Sequence, residues 1–123
     1  MIQKIGIIGD VHSEHRRLRQ ALDWLEQQSV DAVVCTGDVA DGRGCFEQSW
    51  RALESARVHT VAGNHDRWLL TDKVRHVPHA QCRRQISDQG IEFLSTLPKV
   101  VCVETLAGEL RLCHGVAEDD MAK

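Results

Sequence analysis

The sequence predicts an α/β fold with parallel strands, and three observations carry that reading. Apolar, β-branched runs at residues 2–8, 30–36 and 58–62 are short enough to be buried strands. The segments between them repeat apolar residues at helical spacing. Each run also ends in a glycine followed by a polar side chain: Gly9-Asp10, Gly37-Asp38 and Gly63-Asn64. Ligands of open α/β sheets bind beyond the carboxyl ends of the strands, so three such ends side by side predict a shared crevice.

The elements follow in order. Ser13 offers an N-cap to a first helix in which Leu18, Ala21, Leu22 and Leu25 recur at helical spacing through about residue 28. A second helix is expected over 46–56, with Phe46, Trp50 and Leu53 on one face. The motif Gly63-Asn64-His65-Asp66 reads as a turn after the third strand. A further helix over 87–97 is closed by Pro98. Strands at 99–105 and 109–113 flank Leu-Ala-Gly, which predicts a hairpin with Gly108 in its turn, ending at His114-Gly115. No repeat and no linker divides the chain, so residues 1–123 read as a single domain.

Composition narrows the function. Hydrophobic residues make up 42% and charged residues 27%, with only 9 Gly and 2 Pro, which excludes a disordered or collagen-like chain. A net charge of -3 offers no basic field for nucleic acid or an anionic membrane. No apolar run approaches the roughly 18 residues of a spanning helix, and the first ten residues are too promptly charged for a signal peptide. The 5 cysteines are odd in number and form no C-x-x-C pair, so reduced thiols and a cytoplasmic location are expected.

Four clusters carry chemistry: Asp10-Val11-His12, Gly37-Asp38-Val39-Ala40-Asp41, Gly63-Asn64-His65-Asp66 and His114-Gly115. Carboxylates and imidazoles together suit borderline divalent ions such as Mn, Fe, Zn or Co, whereas a soft site would use cysteine. Asp10 and His12 are two apart, so on a continuing strand both would face the same ion. Taken alone, an Asp after a strand is a turn former or helix cap. The order of the clusters and their shared position give them weight. Gly6-Ile7-Ile8-Gly9 is neither a dinucleotide fingerprint nor a P-loop.

In this order Asp10-x-His12, Gly37-Asp38-x-x-Asp41, Gly63-Asn64-His65-Asp66 and Cys113-His114-Gly115 resemble the calcineurin-like metallophosphoesterase family, over residues 4 to about 120. The resemblance implies a four-layer α/β/β/α sandwich and hydrolysis of a phosphate ester by a hydroxide bridging two divalent ions. Manganese is foremost among the ions implied, with Fe, Zn, Co or Ni also compatible. Asp10 and His12 would hold the first ion, Asp38 would bridge both, and Asn64 and His114 would hold the second. His65, with Asn64, would face the substrate phosphate, Asp66 would orient the His65 imidazole, and Asp41 would support the ligands from behind. The substrate class is a small phosphate ester, whether monoester, diester or nucleotide. The family's later Gly-His-x-His motif has no counterpart after Gly115. A domain incomplete at its C-terminus, an uncovered apolar hairpin face around residues 100–113 and self-association are therefore expected. A non-catalytic scaffold of the same fold is the alternative, and retention of His65 favours the enzyme.

Other features read as structural. His76, His79 and Cys82 lack a fourth ligand and suggest a solvated loop. Arg16, Arg17 and Arg19 suggest a solvated helix face, and Arg83-Arg84 a similar surface. Trp24, Trp50 and Trp68 are expected to pack, with Trp68 placed to wall a substrate pocket. Cys35 and Cys113 are expected to act as small buried hydrophobes.

Overall fold

Strands β1 (Ile5–Ile8), β2 (Ala32–Cys35) and β3 (His59–Thr60) lie side by side in that order, all parallel, in a computed structural model that describes residues 1–122. Each strand is shorter than its apolar run. Before β1 the amides of Gln3 and Lys4 leave the ladder and donate to Asp31 Oδ2, at 2.8 and 2.9 Å. Beyond the other strand ends, Thr36 and Val61 keep ladder-like bonds to Ile8 and Cys35 while the chain begins to turn.

Helices α1 (His15–Gln27) and α2 (Phe46–Ser55) connect the strands. Two more follow, α3 (Asn64–Thr71) and α4 (Asp88–Thr96), with a short 3-10 turn at Arg83–Gln85 between them. Leu18, Phe46, Trp50, Leu53, Leu69 and Leu94 from these helices form the main core against the sheet. Leu53 and Leu69 are fully buried, a burial worth about 1.5–3 kcal/mol for each side chain. The Trp50 and Phe93 rings stack at 5.6 Å and join α2 to α4. Ser87 caps α4 by accepting the Gly90 amide, and Glu47 accepts the Ser87 amide and hydroxyl, tying the start of α4 to α2.

Strands β4 (Val100–Thr105) and β5 (Gly108–Cys113) form the antiparallel hairpin, a second sheet facing the first. Cross-strand partners share a face, so Val101 with Leu112 and Val103 with Leu110 make one apolar side. Val101, Leu110 and Leu112 meet Val34, Val61 and Ile5 in a second core between the sheets. Helices, first sheet and second sheet are three of the four expected layers. The opposite hairpin face carries Val100, Cys102 and Cys113 beside Glu104, Glu109 and Arg111, so it is mixed where an apolar face was expected. The exposed apolar side chains lie elsewhere, among them Ile7 on β1 and Leu106 in the hairpin turn.

Three local expectations are corrected. Ser13 does not cap α1: it is fully buried in a left-handed conformation, and its hydroxyl accepts from Gln81 Nε2 at 2.7 Å. Trp24 is exposed rather than packed. The Gly-Asn-His-Asp segment is the first turn of α3, not a turn between elements. Among the described residues no helix is long and apolar enough to cross a membrane.

Candidate metal centre

The loops after β1, β2, β3 and β5 bring the four sequence clusters together. Backbone bonds zip the first two loops: the amides of Asp10, His12 and Ser13 donate to the carbonyls of Gly37, Asp38 and Val39. Asp10, His12, Ser13, Asp38 and Asp41 all adopt positive φ. Such conformations cost on the order of 1 kcal/mol each and persist where surrounding contacts impose them. Here they turn the chain sharply and crowd its side chains into one place. Gly63 allows the closest approach, since a Cβ there would stand 2.2 Å from Asp38 Oδ1 and 2.4 Å from its amide nitrogen.

Asp38 lies at the middle of the cluster. Its Oδ1 accepts the His65 amide at 3.0 Å, and its Oδ2 faces His12 Nε2 at 3.6 Å and His114 Nε2 at 3.5 Å. Donor atoms fall into two triplets that share Asp38, each within 4.8 Å: His12, Asp38 and His65, and Asp10, Asp38 and His114. The sequence reading grouped Asp10 with His12, on the premise of a continuing strand. Because the strand stops at Ile8 and both residues are left-handed, with φ of 51° and 43°, the two side chains go to different triplets.

The donor set suits a cation. His12 Nδ1 lies 3.0 and 2.9 Å from the carbonyl oxygens of Ala40 and Asp41, and His114 Nδ1 lies 2.7 Å from that of Thr36. A carbonyl only accepts, so each ring carries a proton on Nδ1, and Nε2 is the ring atom left to face a ligand. Both Nε2 atoms face Asp38, and His114 Nε2 also faces Asn64 Oδ1 at 3.0 Å. A cation among them, whether a proton on Nε2 or a metal ion, satisfies these facing groups. Imidazole and carboxylate held by second partners in this way are the usual ligands of a borderline divalent ion.

Asp66 and Asp41 exchange the roles expected of them. Asp66 is fully buried and does not touch the His65 ring; its oxygens accept four backbone amides, those of Asp38, Val39, Ala40 and Gly63, each at 2.9 Å. Burial pushes its carboxyl up to about 6, against the pull of the Gly63 and Ala40 amides. The residue that orients His65 is Asp41, whose Oδ2 lies 2.9 Å from His65 Nδ1. Asp41 also accepts both terminal nitrogens of Arg75, at 2.9 and 2.8 Å, and the Gln81 amide at 3.0 Å. Burial works to raise its pKa, yet the bonds from Arg75, Gln81 and His65 hold the carboxyl below the usual range. The His65 ring packs edge-on against His12 at 4.9 Å and tilted against Trp68 at 4.8 Å, so Trp68 flanks the site.

Arg43, Arg75 and Gln81 were missed in the sequence, and His79 was read only as part of a solvated loop. They sit in loops with no periodic pattern, and only the fold brings 75–81 back over Asp41. His76, His79 and Cys82 do not form a metal group among the described residues. Arg16, Arg17 and Arg19 are exposed on α1 as expected. Cys35 is buried, which raises its thiol to about 12 and leaves it inert. After His114 the chain is tied to α3 by Arg67, whose Nε and Nη2 reach Asp120 at 2.8 and 2.9 Å.

A model of the calcineurin-like phosphoesterase family matches residues 3–119. The chain belongs to that family. An uncharacterised protein of Methanocaldococcus jannaschii is 21% identical over 104 residues, which are 79% of this chain and 43% of that protein. A solved structure described as a "putative diadenosine tetraphosphatase" superposes with a TM-score of 0.67 at 27% identity, covering 81% of this chain and 45% of that one. A metallophosphoesterase from Sphaerobacter thermophilus gives 0.60 at 21% identity, covering 82% and 44%. The phosphoesterase Yfce from E. coli gives 0.60 at 17% identity, covering 93% and 58%, and these last two show the shared fold alone. The chain thus spans about half the length of the relatives it matches.

Proposed function

We propose that the site hydrolyses a small phosphate ester with two divalent ions gathered around Asp38, manganese foremost. The observation that carries this reading is the convergence of two imidazole Nε2 atoms, from His12 and His114, on one oxygen of one carboxylate, each ring held from behind at Nδ1 by a backbone carbonyl. Bound there, divalent ions polarise phosphoryl oxygens and lower the pKa of a water, so that hydroxide is available near neutral pH.

The chain's own groups do the rest. Asp38, with one oxygen fixed by the His65 amide, offers the other to both sides. Asp10 and Asn64 add oxygen ligands on the His114 side. His65 is held at Nδ1 by Asp41, which leaves Nε2 to face the ester and hand a proton to the departing oxygen. Trp68 walls that ring. The five free thiols accord with a reducing, cytoplasmic setting.

The test pairs metal analysis with hydrolysis of aryl phosphate mono- and diesters in added Mn. His65→Ala should cut turnover by roughly 10²–10⁴-fold with metal content unchanged. Unchanged turnover removes His65 from the chemistry, loss of a metal equivalent makes it a ligand, and a metal-loaded but silent wild type favours the scaffold reading.

A further inference from the structure

A cavity of about 350 Å³ opens beside the metal centre, lined by His12, Asp41, Arg43, His65 and His79, with Glu14 at its border. That size is at the low end of ligand sites, which run from about 300 to 1,000 Å³. Its inner wall is the His12 and His65 side of the centre. Its outer rim carries one guanidinium, Arg43. Arg43 Nε donates to His79 Nε2 at 3.0 Å, so His79 Nε2 acts as the acceptor. Arg43 forms no ion pair among the described residues, unlike its neighbours Arg75, paired with Asp41, and Arg67, paired with Asp120. With Nε engaged, the two terminal nitrogens of the guanidinium remain to meet a ligand.

The rim is also fixed in place. Arg43 stands between two glycines, both pressed against the loop that carries His12. A Cβ on Gly42 would fall 1.7 Å from the His12 carbonyl oxygen, and one on Gly44 would fall 2.0 Å from that of Ser13. The backbone of Arg43 is therefore set by direct contact with the backbone of the metal-site loop. Asp41, the nearest buried acid, is already occupied by Arg75 and His65, and Glu14 bonds to neither Arg43 nor His79. A charge kept unpaired in this position suits an anion entering from the cleft, and a guanidinium matches phosphate oxygens better than any other side chain.

We propose that Arg43, steadied by His79, binds a second phosphate of the substrate, so that the preferred substrates are esters with two or more linked phosphates. This inference rests on the phosphoesterase reading for the first phosphate. The experiment measures kcat/KM for p-nitrophenyl phosphate and for a nucleoside 5′-triphosphate, in excess Mn, with wild type, Arg43→Ala and Arg43→Lys. The triphosphate-to-monophosphate selectivity should fall by roughly 10- to 100-fold in Arg43→Ala, chiefly through KM, the loss expected for one charge-assisted hydrogen-bonding group. Arg43→Lys, a point charge without the fork, should recover only part of it. An unchanged ratio overturns the proposal, whether both substrates suffer equally or neither does. Calorimetry with inorganic tripolyphosphate and EDTA-treated protein reads the rim without activity, and wild type should bind at least about tenfold more tightly than Arg43→Ala. Equal binding there also overturns it. Tighter binding by wild type, with no ester hydrolysed by any variant, keeps the rim site and sinks the phosphoesterase reading instead.

Discussion

The two sides of Asp38 are built differently. On one side both imidazoles have fixed partners, His12 on two backbone carbonyls and His65 on an Asp41 that is itself clamped by Arg75 and Gln81. On the other side His114 is fixed by the Thr36 carbonyl, but Asp10 is exposed, and only its amide is tied, at 3.2 Å to Gly37. The side facing the cleft is thus preorganised, with little left to settle when a ligand arrives. The other side depends on whatever it binds to order its carboxylate. Rigid support is concentrated where a substrate would react, which is where misplacement costs most rate.

Both sides share one frame, and removing it should have the largest effect. Asp66 gathers four amides from the loops that carry Asp38 and His65. In Asp66→Ala these buried donors would lose their acceptor, at about 1–3 kcal/mol for each one left unsatisfied. A loss on the order of 4 kcal/mol or more is expected, read as a lower urea midpoint at unchanged slope. A loss under about 1 kcal/mol would mean that the loops hold their shape without Asp66.

Asp66 also marks where the sequence could and could not be read. The parallel strands, three of the helices, the hairpin and the convergence on one crevice were legible, because apolar period and Gly-polar punctuation are local signals. The Gly-Asn-His-Asp segment was legible as chemistry but not as a helix start, although an acid at the third position of α3 is a capping signal. The division of labour between Asp41 and Asp66 was not legible. Adjacency in sequence suggested that Asp66 would hold the neighbouring His65, whereas helix geometry points the side chain at position 66 away from that at 65. Arg75 was beyond reach for a different reason. Its partner is 34 residues away, and nothing local in the loop marks it.

The next contrast tests the sharing itself. Asp38 belongs to both triplets, whereas Asp10 belongs to one. Asp38→Asn should therefore lower occupancy of both ions and abolish measurable turnover. Asp10→Asn should lower one equivalent and leave the other within about threefold of its wild-type affinity, less than the 10–100-fold lost on disturbing a ligand's support. Titration with Mn, followed by direct metal analysis, separates the two. Equal and small losses in both variants would argue against two ions sharing one carboxylate.

The smallest effect should come from Arg75, which touches neither triplet's donor atoms but clamps Asp41 from behind through two hydrogen bonds. Removing the clamp leaves Asp41 in place through the Gln81 amide but free to rotate, so His65 loses orientation rather than identity. Arg75→Ala should reduce kcat by roughly 10-fold, about 1.4 kcal/mol of transition-state stabilisation, with KM and metal content near wild type. Arg75→Lys would restore the charge without the planar fork, and should recover only part of the rate if geometry is what Arg75 supplies. Full recovery by lysine would mean that charge alone matters, and a matching loss of bound metal would mean that Arg75 supports the fold of the centre rather than the aim of His65. If the loss instead appears only in KM, the clamp acts on substrate entry, and the contrast between the two sides of Asp38 is one of access rather than of preorganisation.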